Sequence, residues 1–311
     1  RYTKQVFDKY PGRVYNNLNI EIRGIRMKKL LSALLVVLLL FAAVLTLGSC
    51  GEKKIRIAVP NDATNEARAL LLLEANGLIR LDPAAGLLAT TRDIIENPYN
   101  IEFVEVEAAQ LPRTLADVDY AVINSNYALP AGLNPTKDAL AIENSYSAYS
   151  NILAVRAGNE TSAKTRALVA ALSSARVKDF ITAQYGGAVI GVVGESGDGF
   201  DPTLDYTALS GATITVAASP TPHAEILAVA ADILREKNIT LKIREFTDYV
   251  QPNVVVEDLD ADANYFQHLP YLENFNTEKG THIVSVLAVH VEPMGIYSKT
   301  HTKLDIIKET E

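Results

Sequence analysis

The chain has 311 residues, of which 48% are hydrophobic, and a formal net charge of −8 at pH 7. That length can bury one large core or two modest ones. Lysine and arginine are scattered among the acids with no basic stripe, which argues against nucleic acid, because a phosphate-binding surface works by releasing counterions. Cysteine occurs once, at Cys50, so an intrachain disulfide is impossible.

Residues 1–26 read as a leader to which no function is assigned. Met27-Lys28-Lys29 then precedes an almost wholly apolar run from Leu30 to Leu47, which closes on Leu47-Gly48-Ser49-Cys50. A positive stretch, an apolar stretch and small residues before a cut describe an export signal over residues 27–50. A cysteine directly after the small residues resembles the lipobox of bacterial lipoproteins, in which Cys50 would be diacylated and become the mature N-terminus. A transmembrane anchor is the competing reading, since the run just reaches the length of a bilayer core. It gives no reason for the only cysteine to sit there.

Beyond the signal, β-rich runs alternate with helical patterns. Strands are predicted at Ile55 to Val59, Ile101 to Val106, Tyr120 to Asn124, Ile152 to Val155, Ile214 to Ala217, Leu241 to Phe246 and Ile283 to Val291. Helices are predicted at Asn65 to Ala75, Gly86 to Glu96, Ala163 to Ser174, Val177 to Tyr185, His223 to Glu236 and Tyr249 to Leu259. The alternation predicts an α/β architecture with mostly parallel sheets covered by helices. Residues 191–208, rich in Gly, Asp and Ser, read as a linker.

Particular segments carry a resemblance. Ser219-Pro220-Thr221-Pro222-His223-Ala224-Glu225, the stretches Glu245 to Asn253 and Asp262 to Tyr271, and His290-Val291-Glu292-Pro293-Met294-Gly295 are similar to the first half of the NlpA/MetQ-type methionine-binding lipoprotein family. Val59 to Arg68, Glu107 to Arg113 and Ala121 to Ala128 are similar to its second half. The two blocks stand in the opposite order, as if the chain were circularly permuted. A cut in a surface loop between neighbouring termini is tolerated, and a rearranged gene without function is the other reading. The resemblance implies a type II periplasmic-binding-protein fold: two α/β lobes, joined by two crossing segments near Tyr149 to Arg156 and His290 to Tyr297, with a ligand cleft between them. Residues 53–154 with 292–311 would form one lobe and residues 155–291 the other.

It also implies a function and a site. The family's role is that of a membrane-anchored lipoprotein on the extracytoplasmic face, a monomer that binds L-methionine or a close analogue and delivers it to an ABC transporter permease, with no cofactor and no metal. Arg68, in the first turn of a helix with a polar start, would receive the carboxylate, and Asn65 and Asn126 would bond the carboxylate or the ammonium. Glu292 would meet the ammonium, and Asn151 is a further candidate. Tyr249, Phe266, His268 and Tyr271 would surround the thioether, since ring faces and edges suit a polarizable sulfur.

The rival classes have thinner support. His223 with Glu225 and His290 with Glu292 form H-x-E pairs that invite a metal, and alternation along a strand would put His290 and Glu292 on one face. Neither an H-E-x-x-H helix nor a G-x-S-x-G elbow accompanies them, so catalysis by a metal or an acyl-enzyme is not expected. An interaction lipoprotein without a transport role is the remaining alternative.

Overall fold

The computed structural model describes residues 54–144, 149–194 and 197–304; the export-type segment and Cys50 lie outside them. The strands in chain order are β1 (Arg56–Pro60), β2 (Arg80–Leu81), β3 (Ile94–Glu96), β4 (Glu102–Val106), β5 (Tyr120–Ile123), β6 (Ala141–Ile142) and β7 (Ser150–Arg156), followed by β8 (Ile190–Gly191), β9 (Thr213–Ala218), β10 (Thr240–Glu245), β11 (Ala263–His268), β12 (Ile283–Val291) and β13 (Gly295–Tyr297). The α-helices are α1 (Ala63–Ala75), α2 (Leu111–Thr114), α3 (Ser125–Ala128), α4 (Ala163–Leu172), α5 (Ala175–Tyr185), α6 (Glu225–Arg235), α7 (Gln251–Glu257) and α8 (Leu269–Lys279).

Two mixed sheets organise these elements. The first runs β4-β1-β5-β13-β6, with β1 parallel to β4 and β5 and with β13 antiparallel to both its neighbours. Its inner strands β1, β5 and β13 bury both faces, so apolar residues follow one another there without a polar side. Ile57 and Val59 of β1 join Leu70 and Leu73 of α1 and Val122 of β5 in one core, while Ala58 joins Leu111, Leu115 and Ile123 in the core on the other face. The second sheet runs β10-β9-β11-β7-β12-β8 and is packed in the same way. Leu153, Val155, Val216 and Tyr265 face α4, α5 and α6, whereas Ile152, Ala154 and Ala217 face Val255, Val256 and Leu272.

The chain changes sheet twice, between Ile142 and Ser150 and between Val291 and Gly295. A lobe boundary at residue 154 therefore has to be corrected, because it cuts β7. That strand pairs antiparallel with both β11 and β12 and is buried from Asn151 to Val155, so all of it belongs to the second sheet.

Two other expectations change. Gly86 to Glu96 is not a helix but two 3₁₀ turns followed by β3, which pairs with β2. The Thr90 and Asp93 side chains cap one another's backbone there and close a single turn, and the chain then leaves as a strand. Residues 197–208 are not a free linker either. Phe200, Leu204 and Tyr206 pack on the core of the second lobe, Arg166 holds Asp201 Oδ2 at 2.6 and 3.0 Å, and Lys237 Nζ stands 4.5 Å above the Phe200 ring. Composition pointed to a linker because the Gly, Asp and Ser residues outnumber these few anchors.

Gly199 sits where that segment crosses α6. Its φ is +102°, and a Cβ there would stand 2.7 Å from Ile233 Cγ2. Gly199→Ala is expected to cost about 1–3 kcal/mol, from backbone strain and overpacking together. Denaturant unfolding measures it, and an unchanged midpoint would mean that the segment is slack.

Candidate ligand-binding site

The floor of the site is one row across the second sheet. Asn151 of β7 lies in register with His268 of β11 on one side and His290 of β12 on the other. The β11–β7 pairing slips between Tyr265 and Gln267, leaving Phe266 as the extra residue of a bulge. Bulges re-aim side chains, and this one brings Phe266 onto the pocket wall. Below it Asn253, Asn264 and Gln267 form a closed amide network, with bonds of 2.7 to 2.9 Å, that secures the irregular strand.

Helix starts bring the other groups. His268 is the N-cap of α8, where its Nδ1 accepts the Tyr271 N–H at 3.2 Å. That bond leaves the proton on Nε2, which faces Asn65 Oδ1 at 3.4 Å. Burial, and then the Arg68 charge, hold the pKa of His268 well below the usual histidine range. Asn65 stands in the first turn of α1, where the N-cap Asp62 accepts both its backbone N–H and its side-chain amide. Asn124 donates to Asn65 Oδ1 at 2.7 Å. Tyr249, beyond β10, donates its hydroxyl to Asn126 Oδ1 at 2.7 Å, and the Tyr127 hydroxyl donates to the Thr247 carbonyl at 3.0 Å. These contacts join the two lobes across the cleft.

Between the sheets they line a cleft of about 340 Å³ that is partly open to solvent. Of the residues expected from sequence, Asn65, Asn126, Asn151, Tyr249, Phe266, His268, Tyr271 and Glu292 line it. Tyr249, Phe266 and Tyr271 form a ring cluster with centroids 5.9 to 6.0 Å apart. Asn124 and Asn126, also on the wall, each leave one buried polar atom without a hydrogen-bond partner among the described residues, the acceptor Asn124 Oδ1 and the donor Asn126 Nδ2. A buried polar atom left unpaired costs about 1–3 kcal/mol, so this surface is built to be completed from outside.

Arg68 is the exception. It does not line the pocket, and its guanidinium is already engaged: Nε lies 3.0 Å from both oxygens of Glu143, and Nη2 lies 2.5 Å from Glu143 Oε2 and 2.8 Å from the Glu292 carbonyl. The Tyr149 ring covers it at 4.6 Å. Without a ligand the guanidinium is thus held by Glu143 and the Glu292 carbonyl, beside the residues that line the pocket. Glu143 was invisible in the sequence, because an isolated acid 75 positions from its partner carries no signal.

Glu292 is 5% exposed, and its Oε1 receives His290 Nε2 at 2.8 Å and His223 Nε2 at 3.3 Å. His223 Nε2 also faces Asn151 Oδ1 at 2.8 Å, and His290 Nδ1 meets the Tyr265 hydroxyl. Donor atoms of His223, His290 and Glu292 lie within 4.8 Å of one another, the compactness a metal site requires. Glu225, paired with His223 in the sequence, turns away to accept from Tyr185 and Thr221, both at 2.6 Å. Burial pulls both imidazoles down to about pKa 3, and burial also raises the Glu292 carboxyl. Other pocket residues missed in the sequence are Asn124, Ser125 and Gln267. All three sit inside quoted stretches, where nothing separates a lining polar residue from a surface one.

The sequence profile of the NlpA lipoprotein family matches residues 49–193 and 214–311. The chain belongs to the NlpA lipoprotein family. Curated relatives include the membrane lipoprotein TpN32 of Treponema pallidum, 48% identical over 134 residues, or 43% of this chain and 50% of that protein. Another is the D-methionine-binding lipoprotein MetQ of Escherichia coli, 44% identical over 139 residues, or 44% of this chain and 51% of that protein. The chain thus spans about half the length of the curated relatives it matches. Among solved structures, a nutrient binding protein from Burkholderia cenocepacia bound to methionine is 51% identical over 43% of this chain and 57% of that one, with a TM-score of 0.43. Among the described residues of this NlpA-family chain, no helix is long and apolar enough to cross a membrane.

The placement of Arg68 makes a specific demand on stability. Removing one member of a buried ion pair strands the other charge. Arg68→Ala is expected to lower the unliganded unfolding free energy by about 3 kcal/mol, and Arg68→Met combined with Glu143→Met to recover most of the loss. A double variant whose loss equals the sum of the two single losses would contradict the pairing.

Proposed function

We propose that the pocket binds methionine as a zwitterion and that the chain is the substrate-binding lipoprotein of an ABC importer, not an enzyme. The observation that carries this reading is the make-up of the pocket wall. It combines a buried carboxylate, an unpartnered amide donor and an unpartnered amide acceptor with three aromatic rings. An α-ammonium needs acceptors, and Glu292 and Asn124 Oδ1 supply them. An α-carboxylate needs donors, and Asn126 Nδ2 with the amides of Asn65 and Asn151 supplies those. The uncharged thioether then falls against Phe266, Tyr249 and Tyr271. The names of the curated relatives support the choice of ligand.

Groups from both lobes converge on one volume, so a ligand should favour closed lobes over open ones. The permease would read the closed form, presented by a monomer held at the extracytoplasmic face through a lipid on Cys50. Serving a permease requires no chemical step, and among the described residues no serine, threonine or cysteine is hydrogen-bonded to the buried imidazoles.

The order of the blocks is part of the same reading: the NlpA-type halves are exchanged along the chain and still meet in space. A collinear comparison of permuted sequences stops at the end of one block, and the matches here cover about half of each relative. The profile is likewise matched in two separated segments. The anchored segment 197–208 joins β8 to β9 across the proposed seam.

Thermal unfolding with L-methionine, with D-methionine and with serine tests the ligand. A ligand at a hundred times its Kd stabilises the folded state by about 2.7 kcal/mol. L- or D-methionine should raise the midpoint and serine should not. Phe266→Ala should weaken methionine about tenfold through the lost ring contact and burial. No shift with either enantiomer would refute the assignment.

A further inference from the structure

We propose that His223 and His290 are positioning residues that hold Glu292 by one oxygen and turn its other oxygen to the ligand ammonium, so that ligand binding is linked to a proton. The proposal rests on the amino-acid reading of the pocket and names how that site is regulated.

Geometry fixes the roles of the imidazoles. A carboxylate oxygen only accepts, so His290 Nε2 beside Glu292 carries the proton of the neutral ring, and Nδ1 accepts from the Tyr265 hydroxyl. That proton points at Glu292 Oε1, 2.8 Å away. His223 Nε2 faces two acceptors, Asn151 Oδ1 at 2.8 Å and Glu292 Oε1 at 3.3 Å, so its proton too is on Nε2; its Nδ1 is buried without a partner. Glu292 Oε1 is thus bonded on two sides. Among the described residues no hydrogen bond is made to Oε2, although Glu292 lines the pocket.

Charge is the second half of the argument. Two neutral imidazoles orient a carboxylate but leave its charge uncompensated. The groups facing Glu292 from the surrounding elements offer little else. Arg68 of α1 touches its carbonyl but is paired with Glu143. Tyr265 of β11, Tyr185 of α5 and Tyr249 are neutral, and Glu225 of α6 adds negative charge while bonded to Tyr185. A buried carboxylate in this setting binds a proton more readily than one in water, in keeping with its raised pKa. An arriving ammonium supplies the missing charge and displaces that proton.

The sign follows from linkage. The free protein holds the Glu292 proton below its raised pKa, and the complex releases it, so methionine affinity should fall by about tenfold per pH unit below that midpoint. Above the midpoint, affinity should be flat. The experiment is calorimetric titration of the whole chain with L-methionine from pH 4.5 to 8, in pairs of buffers of unlike ionisation enthalpy. Release of about one proton below the midpoint is expected. His290→Leu removes a donor that favours the charged form and should move the midpoint up, His290→Gln should restore it towards the parent, and Glu292→Gln should abolish the pH dependence. A merely structural histidine would lower affinity equally at every pH. Methionine binding with a flat profile, or the same midpoint in His290→Leu and the parent, overturns this inference alone. No binding at any pH overturns both it and the amino-acid reading.

Discussion

One buried guanidinium ties together the two places where the chain passes between sheets. Arg68 projects from α1, takes the Glu143 carboxylate from the first crossing and the Glu292 carbonyl from the second, and the Met294 N–H donates to the same Glu143 at 3.3 Å. Hinges of two-lobed proteins absorb backbone rotation, and rotation there would otherwise carry Glu292 away from the pocket. The ion pair is costly to desolvate and adds little net stability by that fact. Its effect is registry: it sets where the second crossing lies, and with it the carboxylate at the pocket floor.

From that fixed floor the site is assembled out of neutral parts. His223, His268 and His290 are fully enclosed, and burial lowers the pKa of each, so they act as oriented donors and acceptors. The amides of Asn65, Asn124, Asn126 and Asn151 come from both lobes and leave a donor and an acceptor unmatched. A pocket already satisfied within itself would gain little from a ligand. This one combines polar deficits with apolar rings, a pattern that a small amphipathic zwitterion completes and that a purely apolar or purely anionic molecule would leave partly unmet.

Much of this was legible in the sequence, and the failures share a cause. Strands such as Ile283 to Val291 announce themselves because they are long and apolar, and the stretches that resemble the NlpA family lead to most of the pocket lining. The pairing of Arg68 with Glu143 could not be read, because an arginine and an acid 75 residues away are related only by the fold. The bulge that turns Phe266 into the cleft is likewise a product of register between β11 and β7, which no local pattern records. Gly86 to Glu96 read as a helix, but it holds two three-residue turns, the second closed by the Thr90 and Asp93 cap. Phe200 and Tyr206 were too few among the small residues around them to mark 197–208 as anchored.

The account stands or falls on a single amino acid lying between the two sheets with its sulfur towards the rings. A crystal structure grown with L-methionine, with anomalous scattering recorded for sulfur, tests this most directly. The account predicts one sulfur peak against Phe266 and Tyr249, and an ammonium within hydrogen-bond distance of Glu292. A ligand lying elsewhere, or in the cleft with its ends reversed so that a carboxylate faces Glu292, would contradict it.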